Sequence, residues 1–442
     1  SSSVTIVSKC HIYPSRSSAV TALKLSVSDL TMLSVHYIQK GVLLPPSPLP
    51  SADLVSLLKN SLSETLSHFP PLAGRLRTED SGHVKIVCTG EGIEFYHARA
   101  TLVSAAALLQ SRHRDVPPEF RRFFQFDHTV SYAGHGRPLL AVQVTELNGG
   151  VFIGCTANHA VVDGTSFWNF FNTFAEIAAR GGSQKITKSP AFCRDTPFDS
   201  PIALQVPEGG PSPNFSIGEP LREKIFHFTR EAILKLKLRA NNPTRFQEIT
   251  DPENPTAEIS SFQSLCANVW RAVTRARNLN PSRTTTFRMA ANCRHRLRPP
   301  LPPLYFGNAI QSIPIAANVG ELLSNDLRWS ADKLRRRVAD HDDASVRRGV
   351  EEWQRNPIMF SLGNFDGSEV IMGSSPRFPM YDNDFGWGRP LAVRSGGANK
   401  LDGKMSAFPG REGNGAVDVE VVLTPAAMAA LENDSEFMQY VS

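Results

Sequence analysis

No stretch of this sequence strings together the ~18 apolar residues needed to span a membrane. The first residues, 1–11, lack a basic segment followed by an apolar run, so no signal peptide is expected. They also lack a methionine, so the natural start is missing or processed. Cysteine is sparse: six residues, at 10, 88, 155, 193, 266 and 293, with no C-x-x-C pair. That spacing argues against zinc ribbons and thioredoxin-like redox sites, and makes reduced thiols in a cytoplasmic protein the expectation. Neither charge sign dominates. There are 47 basic and 42 acidic residues, for a formal net charge of +5, too mild a bias to suggest a nucleic-acid partner. The G-x-S-x-G elbow of serine hydrolases is absent, as are the Gly-rich phosphate loops of P-loop and Rossmann proteins. No H-E-x-x-H or His/Cys cluster is present, so no metal is expected.

What is present is a long globular chain. Its 442 residues are enough for two or three domains, and 32 prolines imply many turns and long connections. Residues 4–13 read as an opening strand. In Ala52–Leu66, Leu54, Leu57, Leu58, Leu62 and Leu66 fall on one helical stripe. Residues 138–147 and 151–157 read as two strands joined by Asn148-Gly149-Gly150, which is hairpin chemistry. A helix follows, with Phe167, Phe170, Phe171 and Phe174 on one face and Gly181-Gly182 as its stop. Residues 186–222, rich in Pro, Ser, Gly and Thr, form the best linker candidate. Beyond them come a strand (223–229), a helix (230–240), a helix over 261–277, a charged helix over 327–348 ended by Gly349, and a strand over 416–423. Both halves mix strands and helices, so the base reading is an α/β protein of two domains, 1–190 and 223–442, joined by 191–222.

Two short segments carry the chemistry. Of the twelve histidines only His159 has an aspartate four residues on, Asp163, and it stands at the end of a strand before a helix. Strand ends in α/β folds present side chains to clefts. With an unperturbed pKa of ~6.5, an imidazole is largely neutral at cellular pH and can accept a proton. The spacing alone leaves three roles open: general base, metal ligand, or a histidine hydrogen-bonded in a turn. The second segment is 376–390, where Trp387 sits between Gly386 and Gly388. Flanking glycines let backbone approach closely, or leave the indole free to face a ligand. A core tryptophan in a Gly-rich bend is the competing reading.

Together these segments resemble the BAHD family of plant acyl-CoA-dependent acyltransferases. The resemblance rests on H-x-x-x-D-G, here His159 to Gly164, and D-F-G-W-G, here Asp384 to Gly388. Ordered fragments extend it along about 400 residues: LSVSDL (25–30), PLAGRL (71–76), the stretch Gln263–Arg271, YFGN (305–308) and DVEVVL (418–423). It implies two α/β domains, each like chloramphenicol acetyltransferase, with a solvent channel between them. It also implies a crossover of roughly residues 391–410 into the first domain. Acyl-CoA is the implied co-substrate, with no permanently bound cofactor and a small-molecule acceptor. The protein is expected to be a cytoplasmic monomer.

The resemblance also assigns roles. His159 is the implied general base. Asp163 is structural, paired with an arginine of the second domain for which Arg294 is the candidate. Gly164 relieves crowding beside the channel, and Asp384 with Gly386 and Gly388 shapes a loop. Trp387 donates its indole N–H to the oxyanion. The helix start at Ser260 and Ser261 favours CoA phosphates, with Arg394 as an added charge and Lys400 and Arg411 behind it. His36, Tyr37 and Gln39 fall in the region that lines the acceptor side in relatives. Arg377 matches an arginine that grips an acceptor carboxylate in hydroxycinnamoyltransferases; a salt bridge to Asp382 or Asp384 is the alternative. The segment VHYIQKG (35–41) departs from the hydroxycinnamoyltransferase pattern, which argues against shikimate or quinate as acceptor. Two other functions fit the same fold: a CoA-independent elimination or intramolecular transfer, and a non-catalytic binding relative.

Overall fold

The computed structural model describes residues 4–110, 114–211, 220–243, 257–361 and 366–442. Two six-stranded mixed sheets form its frame, with helices packed against each, so the protein is α/β. The first sheet runs in the order Thr5–Ile12, Ile93–Ser104, Leu140–Asn148, Gly150–Ala157, Ile38–Leu44, Ala392–Ser395. The hairpin at its centre turns on Gly149, whose φ of 81° suits glycine and strains other residues. The helices Ser51–His68 and Gly164–Ala179 pack together over it. Their leucine and phenylalanine stripes share one buried core.

The second sheet runs Ile310–Asn318, Thr284–Asn292, Glu369–Met372, Lys404–Pro409, Val417–Leu423, Arg222–Phe228. The helices Arg230–Asn241, Ser261–Ala276 and Leu327–Ala339 pack together beside it. Trp270 anchors this second core against Phe287, and its indole donates to Thr285 Oγ1 at 3.1 Å.

The expected crossover is shorter than 391–410. Only Ala392–Ser395 joins the first sheet, antiparallel to Ile38–Leu44, whereas Lys404–Pro409 belongs to the second. The expected linker is not a free tether where it is described. Phe198 and Leu204 are buried in the first core, and Arg194 donates to the Phe306 carbonyl at 2.8 Å. Residues 212–219 of that linker lie outside the described part.

The charged helix expected over 327–348 is two helices, Leu327–Ala339 and Asp343–Arg355. The second starts where the Asp342 side chain accepts from the Ser345 N–H at 2.9 Å, an N-cap. Gly349 lies inside it rather than after it. A Cβ there would come within 2.7 Å of Gln311 Nε2, so this glycine serves close packing and not helix termination.

Candidate active site

A cavity of about 920 Å³ lies between the two sheets. Its wall takes Ile38, Gln39 and Lys40 from the first sheet and Met289, Met372 and Lys404 from the second. His159 lines it, two residues after the central strand Gly150–Ala157 ends.

The turn holding His159 is pinned on every side. The Asn158 N–H donates to the Leu139 carbonyl at 2.9 Å, and Asn158 Nδ2 donates to the Ser131 carbonyl at 2.7 Å. The His159 N–H donates to Ser131 Oγ at 3.1 Å. The His159 carbonyl accepts from Asn308 Nδ2 at 2.7 Å. Asn308 is held in turn by the buried carboxylate of Asp29, whose Oδ1 accepts from its backbone N–H at 2.7 Å and its Nδ2 at 3.0 Å. Burial lowers the His159 pKa below the ordinary histidine value; its own backbone and Asp163 oppose the shift, and Lys404 adds to it. A neutral imidazole on a cavity wall is equipped to take a proton.

Asp163 is committed elsewhere. It caps the helix Gly164–Ala179 by accepting from the Ser166 N–H at 3.0 Å. Arg294 grips both its oxygens, at 2.7 and 3.0 Å, and the Ala309 N–H adds a third donor at 3.1 Å. The two residues are 1% and 2% exposed. Arg294 also donates to the carbonyls of Tyr305 (2.8 Å) and Gly307 (3.0 Å), so its terminal nitrogens meet both a carboxylate and backbone. This bidentate, charge-assisted pair ties the two halves together directly behind the His159 turn. Gly164 lies on the cavity wall, where a Cβ would meet the Phe378 ring.

The D-F-G-W-G segment forms a tight loop. Asp384 Oδ1 accepts from the N–H groups of Gly386 (2.7 Å) and Gly388 (3.0 Å), whose φ values are 117° and 130°. The oxyanion role expected of Trp387 is corrected here. Its indole N–H donates to the Pro45 carbonyl at 3.0 Å, its ring packs near Phe385, and it does not line the cavity.

The acceptor-side expectations divide. His36 is 1% exposed, and its Nδ1 accepts from the Asn399 N–H at 3.1 Å. Burial pushes its pKa down to about 4, helped by His128. Tyr37 is fully buried and donates to the Pro138 carbonyl at 3.0 Å. Neither lines the cavity: both precede the strand Ile38–Leu44, and their side chains are engaged by Asn399 and Pro138 instead. Gln39 does line it, but its amide is spent on the Gln125 carbonyl (3.0 Å) and the Ala398 N–H (3.0 Å). Arg377 lines the cavity and is exposed. Among the described residues its guanidinium makes no ion pair, so the bridge to Asp382 or Asp384 is not formed.

On the side expected to take CoA, Ser260 lines the cavity and caps Ser261–Ala276 through a capping box with Gln263. Ser261 does not line it, whereas its neighbours Phe262 and Gln263 do. Arg394 is away from the cavity: its guanidinium donates to the Val393 carbonyl and lies over the Phe120 ring, 5.7 Å from its centre. Lys400 lines the cavity, paired with Glu420.

Sequence reasoning missed Asn308, Asp29, Lys40 and Lys404. The first two had a signal, since they sit in the YFGN and LSVSDL fragments. The lysines had none, because two charges far apart in sequence become neighbours only through the fold. Among the described residues no group of His, Cys, Asp and Glu is arranged to hold a metal, and no helix is long and apolar enough to cross a membrane.

Comparison with known proteins gives the arrangement its place. A model of the Transferase family matches residues 2–438. The chain is 35% identical to an uncharacterized acetyltransferase of Arabidopsis thaliana, over 94% of each chain. It is 34% identical to the BAHD acyltransferase DCR of the same plant, covering 98% of this chain and 92% of that one. The crystal structure of F. sporotrichioides TRI101, complexed with coenzyme A and T-2, superposes with a TM-score of 0.76 at 18% identity, over 95% of this chain and 99% of that one. With its family model matched almost end to end, the chain belongs to the BAHD family of acyltransferases.

Proposed function

We propose that this protein moves an acyl group from acyl-CoA to a hydroxyl or amine of a small plant metabolite, both substrates being bound together in the cavity. The observation that carries the reading is His159: a half-buried imidazole of lowered pKa, on a cavity shared by both sheets, in a turn fixed by Ser131 and Asn308. Neutral His159 takes the proton from the acceptor O–H or N–H. The freed lone pair attacks the thioester carbonyl. The tetrahedral oxyanion collapses, the C–S bond breaks, and the thiolate takes the proton back from His159. No side chain need become acylated. A relative of this fold crystallised with coenzyme A supports the choice of donor. Ser260, at the start of Ser261–Ala276, is the residue we assign to a CoA phosphate. Arg377, exposed on the cavity wall, is the residue we assign to an acidic acceptor.

The test is a mass-spectrometric turnover screen. Wild type and His159→Ala each meet acetyl-, malonyl-, benzoyl- and hydroxycinnamoyl-CoA with pooled plant alcohols, amines and hydroxy acids. Wild type is expected to give product with stoichiometric CoA release, and the variant to lose roughly 10²–10⁴ in kcat. Product formed without acyl-CoA, or at an unchanged rate by the variant, would overturn the reading.

A further inference from the structure

Three lysines meet in the cavity wall beside His159. Lys40 comes from Ile38–Leu44 of the first sheet, Lys404 opens Lys404–Pro409 of the second, and Lys400 lies in the connection before it. Their partners are few. Lys400 pairs with Glu420, donates to Ser395 Oγ at 2.9 Å, and lies 3.9 Å from Glu223, which Arg121 already engages. Both Glu420 oxygens also accept from Ser395 Oγ, at 2.7 Å each. Among the described residues, neither the Lys40 nor the Lys404 ammonium makes a hydrogen bond or an ion pair. Lys40 Nζ lies 5.1 Å from the centre of the Phe408 ring. Lys404 Nζ lies over Gly373, where a Cβ would meet the ammonium and push the side chain aside.

Three ammonium groups thus surround one carboxylate that is already shared. Half-buried cations without a partner are costly, and they are retained where a ligand supplies the missing charge. We propose that Lys40 and Lys404 form a subsite that receives a carboxylate carried by one of the two substrates.

The position selects the ligand chemistry. Lys40 and Lys404 line the same cavity as His159, and His159 feels the charge of Lys404, so the subsite shares the cavity with the reacting centre. This step rests on the acyltransferase reading, which brings the thioester to His159. The pantetheine arm is long and uncharged, and it keeps the CoA phosphates far from the thioester. The anion near His159 therefore belongs either to the acyl group or to the acceptor. Burial pushes Lys40 down to about 7 and Lys404 down to about 8 in the empty cavity, with neighbouring lysines adding to both shifts and Glu420 opposing them. A bound carboxylate favours the charged forms again and gains two charge-assisted hydrogen bonds.

The test is calorimetric binding, read apart from turnover. Wild type and the double variant Lys40→Met/Lys404→Met are titrated with matched acid and neutral probes. The donor arm sets malonyl-CoA against acetyl-CoA. The acceptor arm sets shikimate, 4-hydroxybenzoate and lactate against their methyl esters. In one arm the acid is expected to bind wild type at least tenfold more tightly than its neutral counterpart. That advantage is expected to fall below twofold in the double variant and to return in Lys40→Arg/Lys404→Arg. A malonyl preference assigns the carboxylate to the donor; an acid-over-ester preference assigns it to the acceptor. Thermal melts of each variant confirm that a lost preference is not lost folding. The subsite is overturned if no acid outbinds its neutral partner, or if the advantage survives in the double variant. An enzyme that transfers acetyl groups yet shows no such advantage keeps the function and loses the subsite. A preference in a protein that never releases CoA keeps the subsite and loses that function.

Discussion

Charge is gathered at two places between the sheets, one buried and one on the cavity wall, and the two are built on opposite terms. At Asp163–Arg294 the two charges answer each other: both carboxylate oxygens meet the two terminal guanidinium nitrogens, which also reach backbone carbonyls, and only Arg294 Nε is left over. At Lys40 and Lys404 the ammonium groups are left facing a cavity, with one shared carboxylate among three lysines. Both clusters join residues far apart in the chain. The first has the chemistry of a structural bolt, whose value lies in a carboxylate and a guanidinium that offset each other. The second has the chemistry of a receptor, whose value lies in what is missing. The contrast predicts that neutralising one residue lowers stability at the first cluster and raises it at the second.

The largest effect is expected at Arg294. Arg294→Met strands the Asp163 carboxylate in a dry site, and removing one partner of a buried pair costs about 3–5 kcal/mol. A urea titration reads this loss. Activity should fall with it, because Asp163 caps the helix that follows the His159 turn. Adding Asp163→Asn to Arg294→Met should recover part of the stability, since the stranded charge goes too. A loss under 1 kcal/mol in the single variant would mean that the bolt carries no load.

Lys40→Met should move the other way and raise the melting temperature. The sign follows from proton counting. Unfolded Lys40 keeps its proton up to about 10.5, whereas the folded residue gives it up at about 7. Between those values the unfolded state binds more protons, so wild-type stability rises with pH there. Below pH 7 both states are protonated and the full penalty of the buried charge remains. The advantage of Lys40→Met should therefore be greatest near pH 6 and shrink as pH climbs toward 10. The groups setting the shift beside burial are Glu420, Lys400 and Lys404. Thermal melts at pH 6 and pH 9 decide it: a variant less stable than wild type at pH 6 would make Lys40 a structural residue.

How much of this was legible in the sequence follows from where each signal lives. The hairpin and helix of 138–179 were legible because their determinants are local: a Gly-Gly turn, a run of β-formers, a phenylalanine stripe. The break between Ala339 and Asp343 was not read, because Gly349 drew attention as a stop while Asp342 gave the actual start. Motif spacing pointed to the neighbourhood of the site but not to the direction of each side chain. His36 and Tyr37 lie beside cavity-lining residues and turn away from the cavity, and Arg394 turns to Phe120. Lys40 and Lys404 were illegible in principle. A single lysine reads as a solvated charge, and only the crossover strand, which draws Ala392–Ser395 onto Ile38–Leu44, brings the following connection and Lys404 to Lys40.

Trp387 offers the smallest and most discriminating test, because the two accounts of it differ by orders of magnitude. As an oxyanion donor, its loss would cost roughly 10²–10³ in kcat. In the structure its indole N–H is bonded to Pro45 and its ring to Phe385, so it works by holding the loop of Asp384 to Gly388 onto the end of the Ile38–Leu44 strand. Trp387→Phe keeps most of the ring and removes the N–H. The expected outcome is about 1 kcal/mol of lost stability, the worth of one ordinary hydrogen bond, with kcat within about threefold of wild type, a change near 0.6 kcal/mol in barrier. Single-turnover rates measured beside thermal melts separate the two. A hundredfold drop in the chemical step with an unchanged melting temperature would mean that the indole leaves Pro45 when substrates bind, and would return Trp387 to the oxyanion.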